Sequence, residues 1–321
     1  MSSRRIGSGV HSRARSGYVC YMKPVIAIVG PTAAGKSALS IALAHILDGE
    51  VVNCDSMQLY RGMDIGTAKL TPAEREGVSH HLLDIWPVTE PASVAEYQRL
   101  ARQAIDDIQR RGRVALLVGG SGLYLRAAIE DFNFPGTDSS LRAALEAELA
   151  QVGPAPLHER LSTLDAAAAE RILPTNGRRI VRALEVIELT GRPFTAALPT
   201  PNPVYEALTI SVDRPDLDER IAQRVDHMWE QGLVDEVRAL EKAGLRDGLT
   251  ASRALGYQQV LAHLAGECSE QDAHAATIQG TRRFVRRQRS WFRRDPSVVW
   301  LDGTSADLVQ QALLVVKRGS Q

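Results

Sequence analysis

Gly30-Pro31-Thr32-Ala33-Ala34-Gly35-Lys36-Ser37 fits the pattern G-x-x-x-x-G-K-[ST], and its surroundings decide the fold. Before it, Val25 to Val29 is a short apolar, β-branched run that reads as a buried parallel strand. After it, helical spacing runs from Lys36 to Leu47. A glycine-bearing turn between strand and helix grips phosphate for physical reasons. Glycines let backbone N–H groups wrap around the oxygens, and the following helix offers its positive end. Lys36 adds a mobile cation, and the Ser37 hydroxyl is a candidate ligand for Mg²⁺. The eight residues are therefore expected to hold a di- or triphosphate.

Further strand signals start at Val51 and Val52, ending near Asp55, and run from Val114 to Val118. Ser93 to Arg110 between them has amphipathic helical spacing. Strands alternating with helices predict an α/β fold with a parallel sheet of the P-loop NTPase type. The pattern changes from about Phe134 to Tyr205, with helical signals at Leu141–Leu149, Asp165–Ile172 and Gly177–Leu189 and no strand signal. Residues 134–205 are read as a helical insertion, with 23–133 and 206–321 forming the catalytic core. In that second part, Leu208–Val212 returns to strand character and Leu217–Ala243 reads as one long helix. Two or three more helices lead to Trp291, and Val298–Leu301 reads as a last short strand.

The 321 residues suffice for a full core, and the composition is that of an ordinary globular protein. No apolar run approaches the roughly 18 residues of a membrane span, so no membrane association is expected. Three scattered cysteines form neither a metal-spaced set nor a disulfide framework, which points to a reducing cytoplasm. Residues 1–22, rich in Arg, Ser and Gly, read as a disordered extension with Met22 as the functional start, or alternatively as a basic targeting peptide.

The formal net charge of zero hides an asymmetry. Thr281 to Arg294 holds seven arginines and no acid, so this stretch is expected to meet an anion. Trp291 and Phe292 beside Arg282, Arg286 and Arg287 suggest phosphate contacts plus stacking on a nucleic acid, against a plain basic helix paired with acidic neighbours. Arg178, Arg179 and Arg182 cluster at the start of a helix in the insertion. Arg220 and Arg224 are spaced i, i+4 and share a face, solvated unless it meets a ligand.

Asp55-Ser56-Met57-Gln58 sits where the second strand ends, the edge at which open α/β sheets bind ligands. Asp55 is either a turn cap or a carboxylate that accepts a proton from an attacking group. Gln58 is suited to two hydrogen bonds on an adenine edge. Gly119-Gly120-Ser121-Gly122 follows another strand, and Ser121 can bridge two ligands. Val114–Val118, the best candidate for the strand whose end would carry a hydrolase's Mg²⁺-holding Asp, ends instead in Gly-Gly-Ser-Gly, which fits a loop that binds a leaving diphosphate better than a hydrolysed triphosphate. His80 and His81 are adjacent and would point to opposite faces of a strand, which favours structural roles over a shared metal.

These segments, in order, resemble the tRNA dimethylallyltransferases, also called tRNA isopentenyltransferases. The likeness rests on GPTAAGKS, DSMQLYRGMDIGTAK, HHLLDI, LLVGGSGLY, RRIVRALEV, RIAQRVDHMWEQGLVDEV, ALGYQQ and TRRFVRRQRSWFR, from about Pro24 to Trp300. It implies transfer of a dimethylallyl group from dimethylallyl diphosphate to N6 of the adenine 3′-adjacent to the anticodon. It implies that Gly30 to Ser37, Arg220 and Arg224 hold the diphosphate, with Ser37 on Mg²⁺, and that Asp55, Ser121, Lys36 and Arg220 are catalytic. Ser56, Met57 and Gln58 would hold the flipped base. Arg178, Arg179, Ile180, Val181, Arg182, Arg253, Gly256, Tyr257 and Gln258 would touch the anticodon stem-loop. Ser37 and Ser121 stand where the family often has Thr, and Gln258 where Lys or Arg is more usual. No Cys/His zinc finger follows the core, so the resemblance is to the bacterial form, expected as a monomer. Two rivals remain: a kinase using the same loop on ATP, and a non-catalytic RNA-binding module.

Overall fold

Val25–Val29 (β1) is apolar at every position because both faces of its sheet are covered. In this computed structural model, which describes residues 24–132, 134–194 and 202–319, β1 is followed by α1 (Lys36–Leu47), β2 (Gly49–Asn53), β3 (His80–His81) and α2 (Val94–Arg110). Then come β4 (Val114–Val118) and α3 (Gly122–Ile129). The extension expected at 1–22 lies outside the described residues. Helices α4 (Ser139–Val152), α5 (Pro154–Leu164), α6 (Ala166–Arg171) and α7 (Gly177–Thr190) precede β5 (Ala207–Asp213). The chain continues through α8 (Leu217–Glu230), α9 (Leu233–Lys242), α10 (Tyr257–Leu264), α11 (Glu270–Phe292), β6 (Val299–Asp302) and α12 (Leu308–Gly319).

The six strands are parallel in the order β3-β2-β4-β1-β5-β6. The α/β architecture is therefore the expected one. Alternation along β1 serves both faces. Val25, Ala27 and Val29 join a core with Tyr97 and Ile105 of α2 and Leu125 of α3. Ile26 and Ile28 join a second core with Leu43 of α1, Ile221 and Val225 of α8 and Val316 of α12. β1 lies between β4 and β5, so the loop after it leaves from the middle of the sheet. Asp55 beyond β2 and Ser121 beyond β4 leave from the same, carboxyl edge.

Helices α4 to α7 bury their own apolar cluster, centred on Leu145, Leu157, Leu161, Ile180 and Leu184. Side chains of Asp138, Asp165 and Asn176 cap α4, α6 and α7, which satisfies N–H groups that would otherwise lack partners. One expectation needs correcting: Leu217–Ala243 is not one helix. α8 ends at Glu230, Gly232 lies in the left-handed region at φ 94°, and α9 starts after it. The last helix, α12, was not anticipated; it covers the β5–β6 side of the sheet with Ala312 and Val316.

Candidate active site

The loop after β1 is held in a shape that few sequences adopt. Gly30 has φ 126°, and a Cβ there would lie 2.4 Å from the Val212 carbonyl oxygen on β5. Ala33 has φ 65°, an uncommon conformation for a residue with a side chain, as is typical of functional loops. No side chain caps α1 or α3, which is also true of α5, α8 and α9. Both α1 and α3 open at the carboxyl edge of the sheet, where first-turn N–H groups can receive an anion.

Three cations and one carboxylate share this region. Lys36 Nζ donates to Pro31 O at 2.7 Å. Burial and the neighbouring Arg224 push the Lys36 ammonium down to about 8, while Asp55 works against them. Arg220 Nε donates to Ala33 O at 2.9 Å, and Arg224 Nη2 lies 3.5 Å from Thr67 O. Burial weighs against the charged form of Arg224, Asp55 supports it, and Arg220 opposes it. Lysine, arginines and aspartate thus feel one another's charge although they come from the loop, α8 and the end of β2.

Asp55 caps a turn and keeps one carboxylate oxygen without a protein partner among the described residues: its Oδ1 accepts the Met57 N–H at 3.0 Å, and Oδ2 makes no hydrogen bond there. The buried side chain of Asn53 fixes the turn from below: Oδ1 accepts the Asp55 N–H, and Nδ2 donates to the carbonyls of Asp55 and Leu82. Ser121 Oγ lies 3.3 Å from both the backbone nitrogen and the hydroxyl of Ser56, so it ties the β4 turn to the β2 turn. Gln58 Nε2 donates to Thr67 O at 3.1 Å, leaving one N–H and its carbonyl oxygen for a ligand. Cys54 beneath them is buried, which pushes its thiol up to about 12, so it stays protonated and unreactive.

Glu236 and Lys69 keep the 64–69 segment in place. Glu236 of α9 accepts the N–H groups of Asp64, Ile65 and Gly66 and the hydroxyl of Tyr257. Buried Lys69 is held by Tyr60 O, Asp64 and Asp84. His81 serves structure, as expected. It pairs with buried Glu50; burial pushes the Glu50 carboxyl up, but hydrogen bonds from Arg111, His81 and Arg113 outweigh it and hold it at about 2. No group of three His, Cys, Asp or Glu suited to a metal occurs among the described residues.

Several expected RNA contacts do not stand as side-chain contacts. Ile180 and Val181 are 0 % and 2 % exposed in the α4–α7 core, because they lie on the apolar stripe of α7. Arg182 is directed to Glu185 and to the carbonyls of Pro135 and Gly136. Gly256 and Tyr257 are buried, and the Tyr257 hydroxyl donates to Glu236 at 2.6 Å. Phe292 is in the core, and Trp291 packs over Gly122, so neither is a free stacking platform. Arg282 donates to Asp218 O. Arg178, Arg179, Arg253, Gln258, Arg286 and Arg287 are exposed.

Gln288 of α11 was missed among the arginines. Only 5 % exposed, it accepts the Thr32 N–H at 3.0 Å and donates to Gly120 O at 3.1 Å. A sequence signal existed: Val285, Gln288 and Phe292 share the buried stripe of α11, and a polar residue on such a stripe needs partners.

Lys36, Arg220 and Arg224 thus lie around the phosphate loop, and Asp55 lies at the same carboxyl edge of the sheet, an arrangement suited to a phosphate-bearing substrate. The chain belongs to the IPP transferase family, whose model matches residues 58–295. It is 72% identical over 299 residues to the tRNA dimethylallyltransferase of Salinispora arenicola, covering 92% of this chain and 87% of that one. A solved tRNA isopentenylpyrophosphate transferase from Bacillus halodurans is 39% identical, with TM-score 0.69 over 93% of this chain and 98% of its own. A eukaryotic dimethylallyltransferase solved in the course of acting on tRNA has TM-score 0.76 at 28% identity, covering 91% of this chain and 78% of that one. The chain is thus a prenyltransferase-class enzyme with a P-loop core. Among the described residues no helix is long and apolar enough to cross a membrane.

Proposed function

We propose that this enzyme transfers the dimethylallyl group of dimethylallyl diphosphate to N6 of the adenine 3′-adjacent to the anticodon in tRNAs, releasing diphosphate, in the cytoplasm. The observation that carries this is the phosphate loop with Lys36 and Arg220 on its carbonyls, opening at the same carboxyl edge of the sheet as the Asp55 turn. The cations suit a leaving diphosphate, and the carboxylate suits a weakly acidic amine.

The allylic C1–O bond breaks and its electron pair passes to the diphosphate. The loop N–H groups, Lys36, Arg220 and Arg224 stabilise that growing charge because they are in place beforehand. The adenine, turned out of the anticodon-loop stack, uses its N6 lone pair to form the new N–C1 bond. Asp55 Oδ2 takes the N6 proton. Ser56, Met57 and Gln58 line the base, and Ser121 braces their turn against α3. Ser37, exposed at the start of α1, would be the protein oxygen to hold Mg²⁺, and the ion would supply further charge neutralisation to the leaving group. Because water is the wasteful alternative nucleophile, the occupied site should exclude it.

Exposed Arg286 and Arg287 of α11, Arg178 and Arg179 of α7, and Arg253 and Gln258 supply the tRNA-facing surface, with residues 134–205 acting as a tRNA-contacting insertion. The test is incubation with dimethylallyl diphosphate, Mg²⁺ and an adenine-bearing anticodon stem-loop, followed by mass analysis of the RNA. A gain of one dimethylallyl unit on the adenine is expected. An unchanged RNA, or sustained ATP turnover without RNA, would overturn the proposal in favour of the kinase.

A further inference from the structure

Both ends of the Gln288 amide are in use, on two different loops. Oε1 takes the N–H of Thr32 in the phosphate loop, and Nε2 gives to the carbonyl of Gly120 in the β4 turn. The residue after Gly120 is Ser121, whose hydroxyl meets Ser56. One side chain therefore spans from the loop that faces the donor to the turn that braces the acceptor side. A Cβ on Gly120 would stand 2.1 Å from Nε2, so the turn and the amide are fitted to each other. Gln288 is itself held from behind, since the next residue, Arg289, is clamped to Asp213 at the end of β5.

The chemistry of this link is selective. A primary amide carries an acceptor and a donor on one planar group; a carboxylate has no donor, and an alkyl chain has neither. The Thr32 N–H is withdrawn from any ligand and used to fix the loop before phosphate arrives. That is preorganisation, and its benefit falls on the chemical step more than on binding.

We propose that Gln288 is a positioning residue for prenyl transfer, setting the spacing between the donor's diphosphate and the adenine beside Asp55. This rests on the donor and acceptor assignment made under Proposed function. Reacting groups misplaced by about an ångström lose about 100-fold in rate, which sets the expected size of the effect.

The test compares wild type with Gln288→Met, which keeps volume and removes both bonds, and Gln288→Glu, which removes only the donor. Single-turnover transfer to an anticodon stem-loop, with both substrates saturating, should fall about 100-fold in the first and about 10-fold in the second. Affinities for the stem-loop and for inorganic pyrophosphate should stay within about threefold of wild type. A rate within about twofold of wild type in either folded variant overturns the proposal, and so does a rate loss matched by equal losses in both affinities. Should the methionine variant not fold, the glutamate variant decides. Wild-type transfer beside unaffected variants sinks the Gln288 assignment alone. A wild type that binds both probes and transfers nothing sinks the functional reading, and this assignment with it.

Discussion

Arg220 and Arg224 on α8 end on carbonyl oxygens alone, whereas Arg289 on α11 ends on the carboxylate of Asp213 as well as the carbonyl of Arg214. The partners differ in charge, and that difference separates two uses of one residue type. A carbonyl orients a guanidinium without neutralising it, so the α8 pair keeps its charge for an anion. The Asp213 carboxylate neutralises Arg289, which then serves as a fastener between α11 and the end of β5. Between these cases lie Arg286 and Arg287, exposed on α11 and facing solvent.

The strongest challenge to this division is to remove the one carboxylate the cations share. Asp55→Ala should lower single-turnover transfer by about 10³-fold, the scale of a lost base combined with a lost orienting charge. Stem-loop affinity should hardly change, because Asp55 is half-buried and carries the wrong sign for phosphate. Retention of full turnover would remove Asp55 from the mechanism. Next in size is a direct comparison of the two kinds of arginine. Arg224→Gln should weaken use of dimethylallyl diphosphate, measured as kcat/KM, by about 10- to 100-fold at little cost in melting temperature. Arg289→Gln should show the reverse, lowering the melting temperature while changing donor kcat/KM less, since it leaves Asp213 without its bidentate partner. If the two variants behave alike, the partner's charge is not what distinguishes them.

A smaller effect is expected from the solvent-facing set. Arg286→Ala with Arg287→Ala should weaken stem-loop binding by about tenfold and flatten its dependence on salt by about 0.7 to 0.9 per arginine removed. Arg289→Gln should leave that slope unchanged. A slope identical to wild type in the double variant would move the RNA surface away from α11.

The strand, loop and helix around Gly30 to Ser37 were legible because their signal is local: apolar runs, glycine spacing and helical period lie within a few residues of one another. Asp55 was legible for a related reason, since the ends of parallel strands converge on one edge. The RNA surface was much less so. Arginines can be counted in a sequence, but their partners arrive from far along the chain, as Asp213 does for Arg289. Ile180 and Val181 were assigned by motif although the period of α7 places them inward. Gln288 and Glu236 were missed because each acts on backbone groups of distant loops, and backbone groups leave no mark on composition. The break at Gly232 was visible as a lone glycine in a helical pattern, which is tolerated too often to mark a boundary by itself.

The subtlest expectation concerns Lys36, where the comparison turns on one proton. Burial and Arg224 hold its ammonium at about 8, below the usual lysine range, and Asp55 opposes them. Below that pH Lys36 is charged and available to the diphosphate; as pH rises through about 8 the free enzyme loses this cation. Donor kcat/KM, which reports groups of the free enzyme, should therefore decline on an alkaline limb near that value. Arg224→Gln removes a neighbouring positive charge, which raises the Lys36 pKa and moves the limb to higher pH, even though the rate is lower throughout. Asp55→Asn removes the opposing support and moves the limb the other way. Inorganic pyrophosphate binding to the same variants provides the check without catalysis, and it should take up protons above pH about 8 in wild type. A limb that stays fixed in both variants would mean that Lys36 does not titrate against α8, and that the charges on the two sides of the site act independently.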